Sequence, residues 1–492
     1  TVRGRGGRRL SDMTQTATRT ASAELAAFCA GLRWSQLDDD VRARTVELLL
    51  DLLGVALGGS RQPSSAPARE VALRLGGTSE DASVIGASER TGAVWAALAN
   101  GTAAHAIELD DVTTESSLHP GVAVIPAALA IAEERGASPT AMLEAIVAGY
   151  EVTMRLGNAL NPASAYGRGF HPTGVAGVFG AAMAAGRILQ LSQEQLTSAL
   201  GIAGTMASGS LEYLSDGAWT KRLNPGWAAH AGITAAHLAL AGFSGPATVF
   251  EGRLGVLRAY SDHALPERLL ENLGQPPQVM RVSIKPYACC RYNHGLIDCV
   301  LSLRREHGLA PDNVEAVKLG VLSGGALLVA EPIAQKRAPK NVVDAQFSAP
   351  YAAAAALVLG SGGLDAFAPS HVFDPRIQQL MARTDCYHSA ELDAGYPRLW
   401  PAEVEFSLRD GQVLRKRVEF ATGEPENPVP RAALVQKFVS LAERPDAVPL
   451  AERILFVERE PDLRRLGRAL REQTSKSSVV SLQSSVPIGT SC

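Results

Sequence analysis

Apolar positions recur at helical spacing from residue 23 to about residue 274. The stretch 37–57 opens on Asp38, Asp39 and Asp40, acids that complement the positive end of a helix. Val41, Val46, Leu48, Leu49, Leu52, Leu53, Val55 and Leu57 follow, and Gly58-Gly59 are expected to end the helix. Further helices are predicted over 91–107, 121–135, 139–159, 173–190, 192–207, 226–242 and 247–260. Many are rich in Ala and Gly, which lets buried helices approach closely. The period then changes. Residues 278–284 (QVMRVSI) alternate as a strand does. The pattern goes on as a helix at 294–307, a strand at 313–322 and an Ala-rich helix at 345–359. Residues 402–408 and 413–420 flank Asp410-Gly411, which reads as a hairpin. After Pro428 helices return, at 431–441 and 461–472.

The expected fold is therefore mainly α, a large all-helical domain with a smaller α+β lid. The helical domain takes 23–277 and 428–472, the lid 278–427. No strand is expected in a sheet before residue 270. Residues 1–22 hold five Arg, one acid and many Ser and Thr. They are expected to be a disordered extension with Met13 as the natural start, and 473–492 a disordered Ser-rich tail.

Composition narrows the class. Hydrophobic residues are 46% and charged residues 20% of the 492, enough for a large core and too apolar for a disordered chain. A formal charge of −3 provides no basic excess to hold a nucleic-acid backbone. The apolar run 121–132 falls short of the roughly 20 residues a membrane helix needs. Six cysteines form no spacing framework, which fits a reducing compartment and a cytoplasmic protein. Only eight of the 47 basic residues are Lys. Two of them, Lys221 and Lys285, sit in the most unusual segments.

Four segments could carry chemistry. The first runs Glu108-Leu109-Asp110-Asp111 to Glu115 and on to His119-Pro120-Gly121. A His just before an apolar helix is placed where the dipole lowers an imidazole pKa and favours anions. A solvated acidic loop is the plainer reading, and Asp, Glu and His are also metal ligands, although no ligand spacing is present. The second, 167–174, sets His171-Pro172 before a helix in a Gly-rich approach. The third, 216–226, brings Lys221 and Arg222 to a helix start, where the dipole disfavours cations unless an anion compensates. The fourth is Lys285 to Gly295, with Cys289, Cys290, Arg291 and His294, at the joint between the two regions. His105, His230 and His237 lie in Ala-rich helical stretches and read as core or interface residues.

The nucleotide motifs Gly-x-Gly-x-x-Gly and Gly-x-x-x-x-Gly-Lys are absent, as are Gly-x-Ser-x-Gly and His-Glu-x-x-His. A set of His, Lys, Arg and Asp remains, suited to acid–base chemistry on a small, multiply charged anion.

Taken together, these segments resemble the MmgE/PrpD family over residues 23 to about 445. The resemblance is carried by ELDD (108–111) with LHPG (118–121), GFHPTGVAG (169–177), WTKRLNPGWAAHAG (219–232), IKPYACCRYNHG (284–295) and DAQFSAPYA (344–352). It implies a helical domain plus an α+β lid, a homodimer, and a cleft between the domains that works with no metal or organic cofactor. It implies catalytic roles for Asp110, His119, His171 and Lys221, and substrate binding by Lys285, Asp111, Arg222, Cys290, Arg291 and His294. One decarboxylase branch carries a His where this chain has Cys290. The expected partner is a small di- or tricarboxylate, with neither nucleic acid nor membrane. The expected activity is a cofactor-independent lyase, foremost a 2-methylcitrate dehydratase-like hydro-lyase. A cis-aconitate-type decarboxylase, an iminodisuccinate-type epimerase and a catalytically silent carboxylate-binding or scaffold protein are the alternatives.

Overall fold

The computed structural model describes residues 19–396 and 398–471. The expected tail and all but the last four residues of the expected extension lie outside this range. The extension was placed too far into the chain. Thr20 caps helix α1 (Ala21–Gly31) by accepting the Ala23 N–H through its hydroxyl.

The first region is helical as expected: α2 (Asp39–Ser60), α3 (Ser65–Gly76), α4 (Ala93–Ala104), α5 (Gly121–Arg135), α6 (Pro139–Ala159), α7 (Pro162–Gly167), α8 (Pro172–Ile188), α9 (Gln193–Met206), α10 (Thr220–Leu240) and α11 (Val256–Tyr260). Helix α8 lies at the centre, packed by α5, α6, α9 and α10. Two short strands do occur before residue 270, β1 (Ala82–Ser83) pairing antiparallel with β2 (Arg90–Thr91). They form a two-residue clasp. The helix expected over 247–260 is reduced to α11.

Two helix boundaries differ for physical reasons. Helix α2 runs through both of its terminal glycines to Ser60. Gly59 is there for contact, because a Cβ at that position would sit 1.8 Å from the Ala103 carbonyl oxygen of α4. Gly59→Ala is expected to destabilise the fold by about 1–3 kcal/mol, the usual cost of overpacking against a backbone that cannot yield. A thermal melt unchanged from wild type would contradict this close approach. Helix α10 begins six residues earlier than expected and continues past Pro225. Lys221 is therefore in its first turn.

The lid has a four-stranded sheet ordered β4–β3–β5–β6. Strands β3 (Val314–Gly320), β5 (Ala402–Leu408) and β6 (Val413–Val418) are antiparallel neighbours, and β4 (Thr384–Tyr387) adds parallel to β3. Helices α12 (His294–His307) and Ala349–Leu359 pack together beside the sheet. The strand expected at 278–284 does not form. Gln278–Arg281 is a 3-10 turn, followed by a single bridge between Ser283 and Val112. Val279, Val282 and Ile284 join the core of the helical region, whereas Ala288 onward joins the core of the lid. Lys285 thus stands at the crossing between the two cores. Helix Arg431–Ala442 returns to pack on α2. No helix among the described residues is long and apolar enough to cross a membrane.

Candidate active site

The segment joining α4 to α5 carries the first half of the site. It is buried almost throughout from His105 to Gly121. The Ser283–Val112 bridge ties it to the strap that leads into Lys285. Lys437, on the returning helix, fixes both pieces: its Nζ donates to Asp51 Oδ1 at 2.6 Å and to the carbonyls of Leu109 and Lys285, each at 2.8 Å.

Two lysines meet on one carboxylate. Lys221 Nζ bonds Glu108 Oε1. Lys285 Nζ lies 3.3 Å from Oε2 of the same residue and 3.2 Å from its carbonyl oxygen. Burial opposes ionisation of Glu108, but the two ammonium groups prevail and hold its carboxyl well below the usual range. Lys285 is buried too, which favours loss of its proton; Glu108 outweighs this and raises its pKa. Lys221 Nζ also lies 4.8 Å from the Phe347 ring centre. Glu108 adopts φ 56°, a left-handed conformation costly for a residue with a Cβ. The strain sits where an internal carboxylate occupies a two-lysine anion seat.

Three imidazoles adjoin this seat. The His105 and His119 ring centres are 4.9 Å apart, and His105 stacks on His171 at 5.7 Å. Asp110 Oδ2 is shared, lying 2.7 Å from His105 Nδ1 and 2.9 Å from His119 Nδ1. His119 Nδ1 is also 2.7 Å from the Asp111 carbonyl oxygen. Facing two acceptors, that nitrogen must carry the proton, which leaves Nε2 of His119 with its lone pair free. His171 is arranged the other way. Its Nδ1 lies 3.0 Å from the Asn224 amide nitrogen and accepts, so its Nε2 carries the proton. Burial lowers the His119 pKa to about 4, although Asp110 pulls it upward. Burial, with His105 and Lys221, also pushes His171 well below the usual imidazole value. Asp110 is buried as well, but its two histidines hold it well below the carboxylate range. The resting site thus holds neutral His119 and His171 beside an ionised Asp110.

The structure brings together Asp110, His119, His171, Lys221 and Lys285. Cys290 is close by, its thiol pKa raised by burial and its backbone N–H bonded to the Gln346 carbonyl at 2.9 Å. Four expected binding residues are committed elsewhere. Asp111 accepts from the Gly121 N–H at 3.0 Å and the Tyr150 hydroxyl at 2.6 Å. One oxygen is spent on the start of α5 and the other on α6, and burial raises its pKa to about 7. Arg291 pairs with Glu424. His294 is fully buried, against Tyr287 and the Cys289 carbonyl. Arg222 bonds Ser64 Oγ at 2.8 Å and lines a cavity of about 830 Å³ with Trp219, Gln346 and Phe367.

Sequence reasoning missed Asn224 and the central place of Glu108, and it put His105 in the core. His105 is as buried as a core residue, but its partners are Asp110 and two histidines. Its position five residues before Asp110, where a helix ends, was the available signal. His237, on α10, is half-buried and 3.9 Å from Glu134. Donor atoms of His105, Asp110 and His119 all lie within 4.8 Å of one another, the spacing of a metal-ligand group. The hydrogen bonds on Asp110 Oδ2 account for that closeness.

Comparisons with known proteins agree over both regions. The model of the MmgE/PrpD N-terminal domain matches residues 23–269, and that of the MmgE/PrpD C-terminal domain matches 287–460. A cis-aconitate decarboxylase-like protein, oryM, of Aspergillus oryzae is 31% identical over 422 residues, 82% of this chain and 86% of that protein. Cis-aconitate decarboxylase of Aspergillus terreus is 28% identical over 444 residues, 86% of this chain and 89% of its own. The human cis-aconitate decarboxylase is 26% identical over 439 residues, 87% and 88% of the two chains.

Proposed function

Because the chain belongs to the MmgE/PrpD family, we propose that it is a lyase that decarboxylates a small unsaturated tricarboxylate of the cis-aconitate kind. The observation that carries this reading is the two-lysine seat on Glu108 beside a carboxylate-backed imidazole. The kinship to decarboxylases supports it and moves the preference away from the dehydratase expected from the sequence.

The chemistry balances without an oxidant or reductant. The bond to the departing carboxylate breaks and CO2 leaves. Its electron pair forms a new double bond, and the old double-bond pair moves to the carbon beside a second carboxylate. The charge spreads into that carboxylate, where Lys221 and Lys285 stabilise it. His119 then gives a proton to that carbon through Nε2, while Asp110 supports the imidazolium before transfer. His119 is neutral in the empty site. The negative charges of the substrate raise its proton affinity, so it takes up one proton per turnover. His171, whose Nε2 carries the proton, donates a hydrogen bond to a substrate carboxylate and stays neutral.

Dehydration of a 2-methylcitrate-like substrate is the second reading. It is favoured by the unprotonated Nε2 of resting His119, which could accept the proton next to a carboxylate. Proton NMR on incubations with cis-aconitate, 2-methylcitrate, citrate and iminodisuccinate separates the readings. CO2 and a new terminal alkene from cis-aconitate are expected. Loss of water from methylcitrate alone would favour the hydro-lyase, inversion of iminodisuccinate alone the epimerase. No turnover of any of them would leave a silent carboxylate binder and overturn the lyase. The proposal includes a cofactor-free homodimer. Full activity after chelator treatment and a dimer mass in sedimentation equilibrium are expected, and a divalent-ion requirement or a monomer mass would contradict it.

A further inference from the structure

His105 is the most deeply buried of the three site histidines, with no exposed surface. Its Nδ1 donates to Asp110 Oδ2 at 2.7 Å, the oxygen that His119 Nδ1 also approaches at 2.9 Å. Its Nε2 makes no hydrogen bond among the described residues, and neither does Asp110 Oδ1. A buried polar atom without a partner is destabilising, and an apolar ring of the same shape would avoid that cost. Packing therefore does not explain an imidazole here. The contact that needs one is the single bond to Asp110.

We propose that His105 is a positioning residue: by sharing one oxygen of Asp110 with His119, it pins the carboxylate and thereby sets the orientation and basicity of His119. Without the His105 N–H, His119 is the contact that remains on Asp110 Oδ2 among the described residues, and the carboxylate is held at one point instead of two. Its charge is then neutralised by His119 alone. The ionisable groups that face His119 are Asp110, Lys285 and His105, with His171, the residue that precedes α8, next to them. Losing His105 removes a group that disfavours the imidazolium and leaves the carboxylate that favours it. His119 must become more basic and less well held.

The inference rests on the reading that His119 moves the proton, so one arm of its test does not use the reaction. His105→Leu removes the donor. His105→Asn keeps an N–H close to the position of Nδ1. Histidine NMR on the resting protein follows the His119 titration in wild type and both variants. Its midpoint should rise by about one pH unit in His105→Leu and return toward wild type in His105→Asn. Turnover of cis-aconitate should fall about tenfold to a hundredfold in His105→Leu with KM little changed, and recover at least partly in His105→Asn. Thermal melts separate misfolding from misplacement. An unmoved His119 midpoint in a folded His105→Leu protein overturns the inference. So does equal impairment of the two variants. If His105→Leu fails to fold, the Asn variant decides: a midpoint far from wild type in that folded protein refutes the role. Wild type that titrates as expected but turns over no substrate counts against the proposed function instead.

Discussion

His119→Asn is expected to lower turnover about a hundredfold or more while the protein still folds. Asparagine places an N–H near the position of Nδ1, so Asp110 and the Asp111 carbonyl keep a donor. What disappears is Nε2, the atom that carries the proton. A positioned acid–base group contributes about 10² to 10⁴ in rate, which sets the size of the loss. KM should change little, because the lysines still hold the substrate. The variant should also differ in acid. The folded pKa of His119 is about 4, below the roughly 6.5 of an unfolded imidazole. The unfolded chain thus binds the proton first as pH falls. The stability that His119 contributes is complete above pH 6.5 and is lost as pH falls through 4. His119→Asn lacks this part, so its melting temperature should fall less steeply over that window. Near-full activity in a folded variant would remove His119 from the mechanism.

The fold was largely legible because the period of apolar residues is a local property. The change from 3.6 to 2 marks the lid, and Asp410-Gly411 marks its hairpin as β5 and β6 show. Reading failed where local pattern competes with tertiary contact. Residues 278–284 alternate like a strand, but only Ser283 finds a partner backbone, at Val112. Gly58-Gly59 look like a stop and serve instead for close contact, Gly58 with Leu441 and Ile107 and Gly59 with α4. The site divided in the same way. His119, His171, Lys221 and Lys285 stood out by their setting at helix starts and at the joint. Asp111, Arg291 and His294 lie in the same segments but point into internal bonds. Sequence neighbours share a loop, and the direction of each side chain is decided by what packs against it. His105 looked like core because it is in the core. Its role follows only from seeing that Asp110 lies on one side of it and two imidazoles on the other.

Lys285→Met is expected to cost about two to three powers of ten in kcat/KM, through both a higher KM and a lower kcat. Methionine keeps most of the length and apolar stem of lysine but none of its charge. Lys285 is 1% exposed, so water cannot replace the ammonium. Truncating one member of a buried charge pair costs 2–5 kcal/mol or more, and 1.36 kcal/mol corresponds to tenfold in rate. The effect divides between KM and kcat because the clamp acts at two stages. It receives a carboxylate on binding, then meets the greater charge that develops as CO2 leaves. In the empty protein Glu108 fills the seat between Lys221 and Lys285. With Lys285 gone, Lys221 is the ammonium left in contact with Glu108 among the described residues, and that internal pair competes with substrate for it. Lys285→Arg should not restore activity, since a planar guanidinium cannot reproduce a compact ammonium in a buried space. Steady-state kinetics with cis-aconitate reads these parameters, and melts confirm folding. A folded Lys285→Met protein with wild-type kcat/KM would mean that the lysine holds only Glu108 and never the substrate.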